Sequence, residues 1–386
     1  MYNENRVFIA ACLCLCLFGM VAVSVGSVLP EIVSKFGVGK IEAGVITSLL
    51  PAGILVGSIF FGPIADRFGY KELYIICCGL VLIGLQALAF GTAWWMIQLA
   101  VFAVGCGGGV LNGGTSAIVA DISDEVERGA RLSLLGIFYG VGAIAMPTIL
   151  AVLANWFSRE TIFLGIGGFV VGIIIYLVST AFPPPKQAGG TPVGAMGSLI
   201  QNKVLLGLSL FLLFQSGMES VISSWITSFL QAQPNILPEM ALLALTVHMV
   251  ALTLMRVVLS RILKVYPSFQ VLVAGYLLMV LGCLVLWWSP NYTVSLIGLI
   301  LLGCGFAGGF PIIFAQIGTL WSEVSGTAFS VALTIALTGG ISLSYLMGVV
   351  AHHYGVEKLP LLLLASTICL GLMTLNIRKT FRISNA

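Results

Sequence analysis

Charge is what this chain has least of. Asp, Glu, Lys and Arg together supply 8% of its residues, against 59% hydrophobic types. A water-soluble domain carries about 25% charged residues, so the composition excludes a soluble fold and leaves a polytopic membrane protein. A net charge of +3 is too small and too scattered to call for a nucleic-acid partner. Histidine is rarer still, with 3 in the chain. The 9 cysteines, mostly inside apolar runs, show no CxxC spacing and no Cys/His cluster. That excludes a disulfide framework and a zinc site, and the cysteines read as small lipid- or core-facing residues. No P-loop is present, so ATP is not the energy source, and neither a metal nor a cofactor is expected. Paired aspartates, a Ser/His pair and metal-ligating histidines are all missing, which argues against an intramembrane enzyme. A cleavable signal peptide is not expected either, because the first apolar run, 7–30, is too long for one.

What the chain has instead is long apolar runs. A spanning helix needs about 20 mostly apolar residues. Twelve such runs are expected, near 6–33, 41–65, 72–91, 94–120, 131–155, 160–182, 203–230, 238–264, 269–288, 292–320, 327–351 and 359–378. Between the sixth and seventh lies PPPKQAGGTPVGAMGSLIQN, residues 183–202. Its prolines and glycines forbid a continuous helix. It reads as a cytoplasmic linker between an N-terminal six-helix bundle, 1–182, and a C-terminal one, 203–386. The halves echo each other: Gly105-Cys106-Gly107 recurs as Gly303-Cys304-Gly305, Gly142 as Gly340 at the same offset, and Arg67 has a counterpart in Arg261. Helix count, linker and echo together predict an all-α membrane protein of two pseudo-symmetric six-helix bundles. With the N-terminus inside, only Lys35, Lys40, Arg159 and Lys358 of the 17 Lys and Arg fall outside. The positive-inside rule then makes both termini cytoplasmic, and Trp94, Trp95, Trp156, Trp287 and Trp288 form an outer aromatic belt.

Against this background FFGPIADRFGYKEL, residues 60–73, stands out as a compact charged turn. Gly62, Asp66, Arg67, Gly69 and Lys71 resemble the loop 2–3 signature of the major facilitator superfamily, G-x-x-x-D-R-x-G-x-K. Helix count and linker extend the resemblance to the whole chain. It implies the major facilitator fold and a conformational latch at this loop. There Gly62 allows a close helix approach and Gly69 a tight turn. Asp66 faces the partly positive end of a helix, for which the family suggests the eleventh, starting near Gly326. Arg128 or Arg131 completes a charge network. The seventh helix, QSGMESVISSWITSFL, is similar to that of the fucose permease-like group of sugar–cation symporters, as are the glycine-rich fourth, fifth, tenth and eleventh. The chain departs from that group where Asn112 replaces a carboxylate of the fourth helix. The first helix also has no acidic residue before Glu31. The group's N-terminal proton-handling residues therefore do not carry over, and the solute need not be fucose.

Of the 14 acidic residues, only Glu219 falls well inside a span. A charge at that depth costs about 2.5–3.5 kcal/mol on insertion scales and marks an ion or substrate path. Gln215 and Ser223 lie one turn to either side. His248 and Arg256 on the eighth helix are its candidate partners, and all three are expected to serve ion coupling. Arg256 can equally snorkel to the inner surface, and His248 can be a hydrogen-bonded core residue. Asn112, Thr115, Gln215, Gln316 and Thr338 suit a polyhydroxylated ligand, or bond backbone carbonyls across helices. Phe138, Tyr139 and Trp225 offer flat faces to a sugar ring, Trp225 being equally a belt residue.

These residues predict a monomeric plasma (bacterial inner) membrane transporter. Uptake of a sugar or similar polar solute is driven by H+ or Na+, and two bundles rock around a midplane site. The rival is a drug or metabolite:proton antiporter of the same fold. Such exporters carry G-x-x-x-G-P in the fifth helix, whereas here Val141 follows Gly136 and Gly140.

Overall fold

The structure, a computed structural model, describes residues 2–123, 125–184, 201–263, 265–289, 291–321 and 325–383. Most of the expected linker lies outside these residues, as do the side chains at Gly62, Asp66, Arg67 and Arg128. The helices are α1 (Glu4–Phe36), α2 (Lys40–Phe68), α3 (Tyr70–Phe90), α4 (Trp94–Ile122), α5 (Glu125–Leu153) and α6 (Arg159–Ser179). After the linker come α7 (Lys203–Gln231), α8 (Pro238–Ile262), α9 (Ser268–Trp287), α10 (Tyr292–Phe306), α11 (Gly309–Leu320), α12 (Ser325–Tyr354) and α13 (Leu359–Ile383). Among the described residues, 12 helical segments are long and apolar enough to cross a membrane, α10 and α11 together forming the tenth.

Local chemistry sets the helix ends. Asn3 caps α1 by accepting from the Arg6 amide at 3.2 Å. Gly37 closes it in the left-handed region at φ 61°, where glycine carries no Cβ penalty. Asn202 caps α7 through the amides of Val204 and Leu205 at 3.0 and 3.2 Å. Asn291 does the same for α10 through Val294 at 3.1 Å. Such caps satisfy amides that a helix start leaves unpaired. Between α2 and α3, Gly69 sits at φ 85° and ψ 168°, a region essentially reserved for glycine.

The tenth span departs from the continuous helix that its hydropathy predicts. It breaks at Ala307 and Gly308. Pro311 has no N–H to return to the carbonyl of residue 307, and its ring crowds that position. In the first turn of α11 the missing donor costs nothing, since that amide has no helical partner anyway.

The repeated Gly-Cys-Gly has a packing reason. Gly105 meets the α2 backbone at Leu50 and Gly53, and Gly107 meets α3 at Cys77 and Val81. In the second half Gly303 meets α8 at His248 and Leu252, and Gly305 meets α9 at Gly275 and Met279. The first glycine of each copy thus admits the second helix of its half, and the second glycine admits the third helix. The same device joins α1 to α5, where Gly142 lies on the Cys16 carbonyl, and α7 to α12, where Gly339 lies on the Leu213 carbonyl. The partner of Gly142 is therefore Gly339 in packing, one residue from the sequence echo at Gly340.

By contact the chain forms two compact units. One holds residues 1–38, 49–190 and 238–246, the other 39–48, 191–237 and 247–386. Each includes the opening turns of a helix from the other half of the sequence. In the first unit Thr148 of α5 and Thr246 of α8 share a hydroxyl hydrogen bond of 3.1 Å. In the second, Gly44 of α2 packs on Gly348 of α12.

Candidate functional site

The polar interior of the second unit centres on α7. Gln215 and Glu219 are one turn apart, so both side chains lie on one helix face. Gln215 is fully buried, and its Nε2 donates to Glu219 Oε1 at 2.9 Å. The same nitrogen donates to the Phe306 carbonyl at 2.6 Å. Phe306 ends α10, so this carbonyl belongs to the helix end that the break exposes. An interrupted helical hydrogen-bond ladder at membrane depth persists only where protein or water satisfies the freed polar groups, and Gln215 does so here. Gly309 makes room for it: a Cβ there would run into the Gln215 carboxamide. Glu219 itself is half-buried, and Arg256 of α8 acts on its charge.

His248 lies on the other side of Phe306. Its Nδ1 donates to the Leu299 carbonyl at 2.9 Å, and its ring meets Phe306 edge-on at 5.9 Å. Only 1% exposed, it is a hydrogen-bonded core histidine fixed to α10. Of the three expected coupling residues, Arg256 acts on Glu219 electrostatically, and His248 reaches Glu219 only by way of Phe306 and Gln215.

Trp225 is 1% exposed and has no open face for a sugar, nor does it belong to the interfacial belt. Its Nε1 donates to Thr47 Oγ1 at 3.2 Å. Thr47 in turn donates to the Gly44 carbonyl at 3.0 Å and reaches the Ser344 carbonyl at 3.4 Å. Ser344 and Ser220 share a hydroxyl contact of 2.8 Å. Thr47, Ser220 and Ser344 carry no local signal, because the contacts that define them span 124 to 297 residues of chain.

The remaining expected ligands are placed separately. On α4, Asn112 is half-buried, and Thr115 turns its hydroxyl back to the Asn112 carbonyl at 3.3 Å. Phe138 and Tyr139 of α5 are half-buried, with Tyr139 5.6 Å from the Phe18 ring. Gln316 of α11 is 6% exposed. On α12, Thr338 bonds the Ile335 carbonyl of its own helix at 2.6 Å. A cavity of about 290 Å³ in the second unit is walled by Gln215, Met255, Leu259, Met279, Cys304 and Gly308. None of these separately placed residues lines it. Its walls are mostly apolar, unsuited to a polyhydroxylated solute.

At the loop expected to act as a latch, Lys71 donates to the Val178 carbonyl at 2.7 Å. Tyr70 donates to Asp121 at 3.2 Å, a partner the sequence reading had not singled out. Arg131 pairs with Glu4 at 3.8 Å and lies over the Phe8 ring.

The sequence model of the Major Facilitator Superfamily matches residues 11–344. The chain is 22% identical over 351 residues to the glucose/mannose transporter GlcP of Bacillus subtilis (strain 168), covering 86% of this chain and 84% of that protein. It is 24% identical over 356 residues to multidrug resistance protein MdtL of Citrobacter koseri, covering 89% of each. Among solved structures, a D-xylose–proton symporter superposes with a TM-score of 0.82 at 13% identity, over 96% of this chain and 97% of that one. The Escherichia coli fucose:proton symporter FucP superposes at 0.67 and 19% identity, over 97% and 98%. These superpositions carry the fold.

Proposed function

Because the chain belongs to the Major Facilitator Superfamily, and so is a multi-pass membrane transporter rather than an enzyme, we propose that it performs cation-coupled uptake of a sugar or similar small polar solute. The observation that carries this reading is Glu219. It is an ionisable group within a span, hydrogen-bonded to Gln215 and acted on by Arg256. A carboxylate there changes charge by taking up a proton and so loses the cost of sitting charged at membrane depth. With Na+ as the driving ion, its oxygens would serve as ligands. The names of GlcP and of the two symporters support a sugar as the solute.

Asn112, Thr115, Phe138, Tyr139, Gln316 and Thr338 remain our candidates for solute contact. Gly62, Asp66, Arg67, Gly69, Lys71, Arg128 and Arg131 remain those for the latch. The protein works as a monomer in the plasma (bacterial inner) membrane, with both termini in the cytoplasm.

MdtL supports the second reading, export of a drug or metabolite against protons. Proteoliposomes separate the two. Labelled D-glucose, D-mannose, D-xylose and L-fucose are offered under an inward proton or sodium gradient. Accumulation above equilibrium that collapses with an ionophore is the expected result. Failure to accumulate any of the four, with proton-driven extrusion of a lipophilic cation such as ethidium, would replace uptake by export.

A further inference from the structure

Gln215 has the wrong hydrogen bonds for a solute ligand. A carboxamide brings two N–H donors and one carbonyl acceptor. Both donors are committed, to Glu219 Oε1 at 2.9 Å and to the Phe306 carbonyl at 2.6 Å. The acceptor Oε1 is buried without a hydrogen-bond partner, in the space that Gly309 leaves open. The residue joins a carboxylate to a broken helix end and holds one unused acceptor beside both.

We propose that Gln215 is a positioning residue that links the charge state of Glu219 to the break in the tenth span. The proposal rests on the reading of Glu219 as the coupling group. An ionised carboxylate only accepts hydrogen bonds, so Nε2 must face it, as observed. A protonated Glu219 carries an O–H that needs an acceptor. Nε2 cannot accept, and the unused acceptor on Gln215 is Oε1. Turning the carboxamide to receive that proton carries Nε2 away from the Phe306 carbonyl. The helix end at Phe306 then loses its partner at membrane depth, where an unsatisfied backbone carbonyl is costly. The break at Ala307 and Gly308 must rearrange in response. The one bond formed is the Glu219 O–H, its proton supplied by the aqueous phase, and every other change is a hydrogen bond exchanged.

Among the described residues, one charged neighbour acts on this pair. Arg256 of α8 is the charged residue that acts on Glu219. His248, also on α8, is held by the Leu299 carbonyl and meets Phe306 only through its ring edge. The helices α12 and α13 also pack on α7. Among the described side chains they bring Tyr345, His352, His353, Tyr354, Cys369 and Arg378, none of which acts on Glu219.

The test needs no solute. Full-length protein in lipid nanodiscs is followed across a pH series by two measurements. Infrared difference spectra, with Glu219→Gln as the blank, report protonation of Glu219. Hydrogen–deuterium exchange of peptides covering 303–313 reports the break. In the wild type, exchange at the break should rise several-fold in step with the Glu219 carboxyl band. Glu219→Gln should remove the pH dependence of exchange. Gln215→Leu, with Gln215→Met as its unbranched alternative, should leave the carboxyl band titrating while exchange no longer follows it. Break exchange that still tracks Glu219 in the Gln215 variants would overturn the proposal and spare the coupling reading. So would a wild-type break that ignores a titrating Glu219, even if neither Gln215 variant folds. A Glu219 band that never titrates would overturn both.

Discussion

The indole of Trp225 on α7 is tied to Thr47 on α2 by a 3.2 Å hydrogen bond that closes 178 residues of chain. Both residues are buried. The largest flat side chain of α7 is therefore committed to packing, and its role is tested by separating stability from affinity. Trp225→Phe keeps most of the ring and loses one intramembrane hydrogen bond, worth about 0.6 kcal/mol. Trp225→Ala should cost about 3–5 kcal/mol. Thermal unfolding in detergent should rank the two in that order, with the Phe variant's half-saturation constant for uptake close to wild type. A large rise in that constant at wild-type stability would return Trp225 to the solute site.

Two glycines of α5 should respond in opposite ways to the same substitution. A Cβ on Gly142 would strike the Cys16 carbonyl of α1, a backbone atom that cannot swing aside, while one on Gly136 meets nothing within 4 Å. Gly142→Ala should lower the folded yield seen by fluorescence size-exclusion chromatography several-fold, and Gly136→Ala should match wild type. Equal yields would show that the α1–α5 seam has room for a methyl group at Gly142.

The break in the tenth span offers a similar contrast. Gly308 has helical angles, φ −89° and ψ −26°. A Cβ there would make only ordinary contacts, 3.4 Å to Ile312 and 3.6 Å to Leu259. Gly308→Ala should stabilise the protein by about 0.4–1 kcal/mol through the unfolded chain. It should also slow transport by stiffening the break. Gly309→Ala displaces the Gln215 carboxamide and should lose both stability and uptake. Melting temperature and initial uptake rate, measured together, check both variants.

Glu219→Gln removes the charge and keeps the shape. Uptake should then stop at equilibrium with the medium, while exchange of labelled for unlabelled solute across the vesicle wall continues. One elementary charge moved across 100 mV is worth about 2.3 kcal/mol, roughly a 50-fold gradient, so the loss is easily read. Undiminished accumulation by the variant would remove Glu219 as the coupling group for either ion.

Sequence alone determined the membrane class, the twelve spans and the reading of Glu219 as the residue to watch. Each of these rests on a property carried by single residues or short windows. Hydrophobic run length sets a span, and an acid amid apolar neighbours stands out wherever the chain folds. The glycine echo was also legible, because backbone approach leaves no substitute for the missing side chain. Only the tertiary structure decided what the polar side chains do. Trp225 and Gln215 both read as solute ligands while their partners, Thr47 and the Phe306 carbonyl, lay 178 and 91 residues away. Hydropathy ran straight through Ala307 and Gly308 because a break between apolar residues changes backbone bonding and leaves composition untouched. The exchange of 39–48 and 238–246 between the compact units was invisible for a related reason. Periodicity reports which face of a helix is apolar, and the helix that covers that face is chosen by packing.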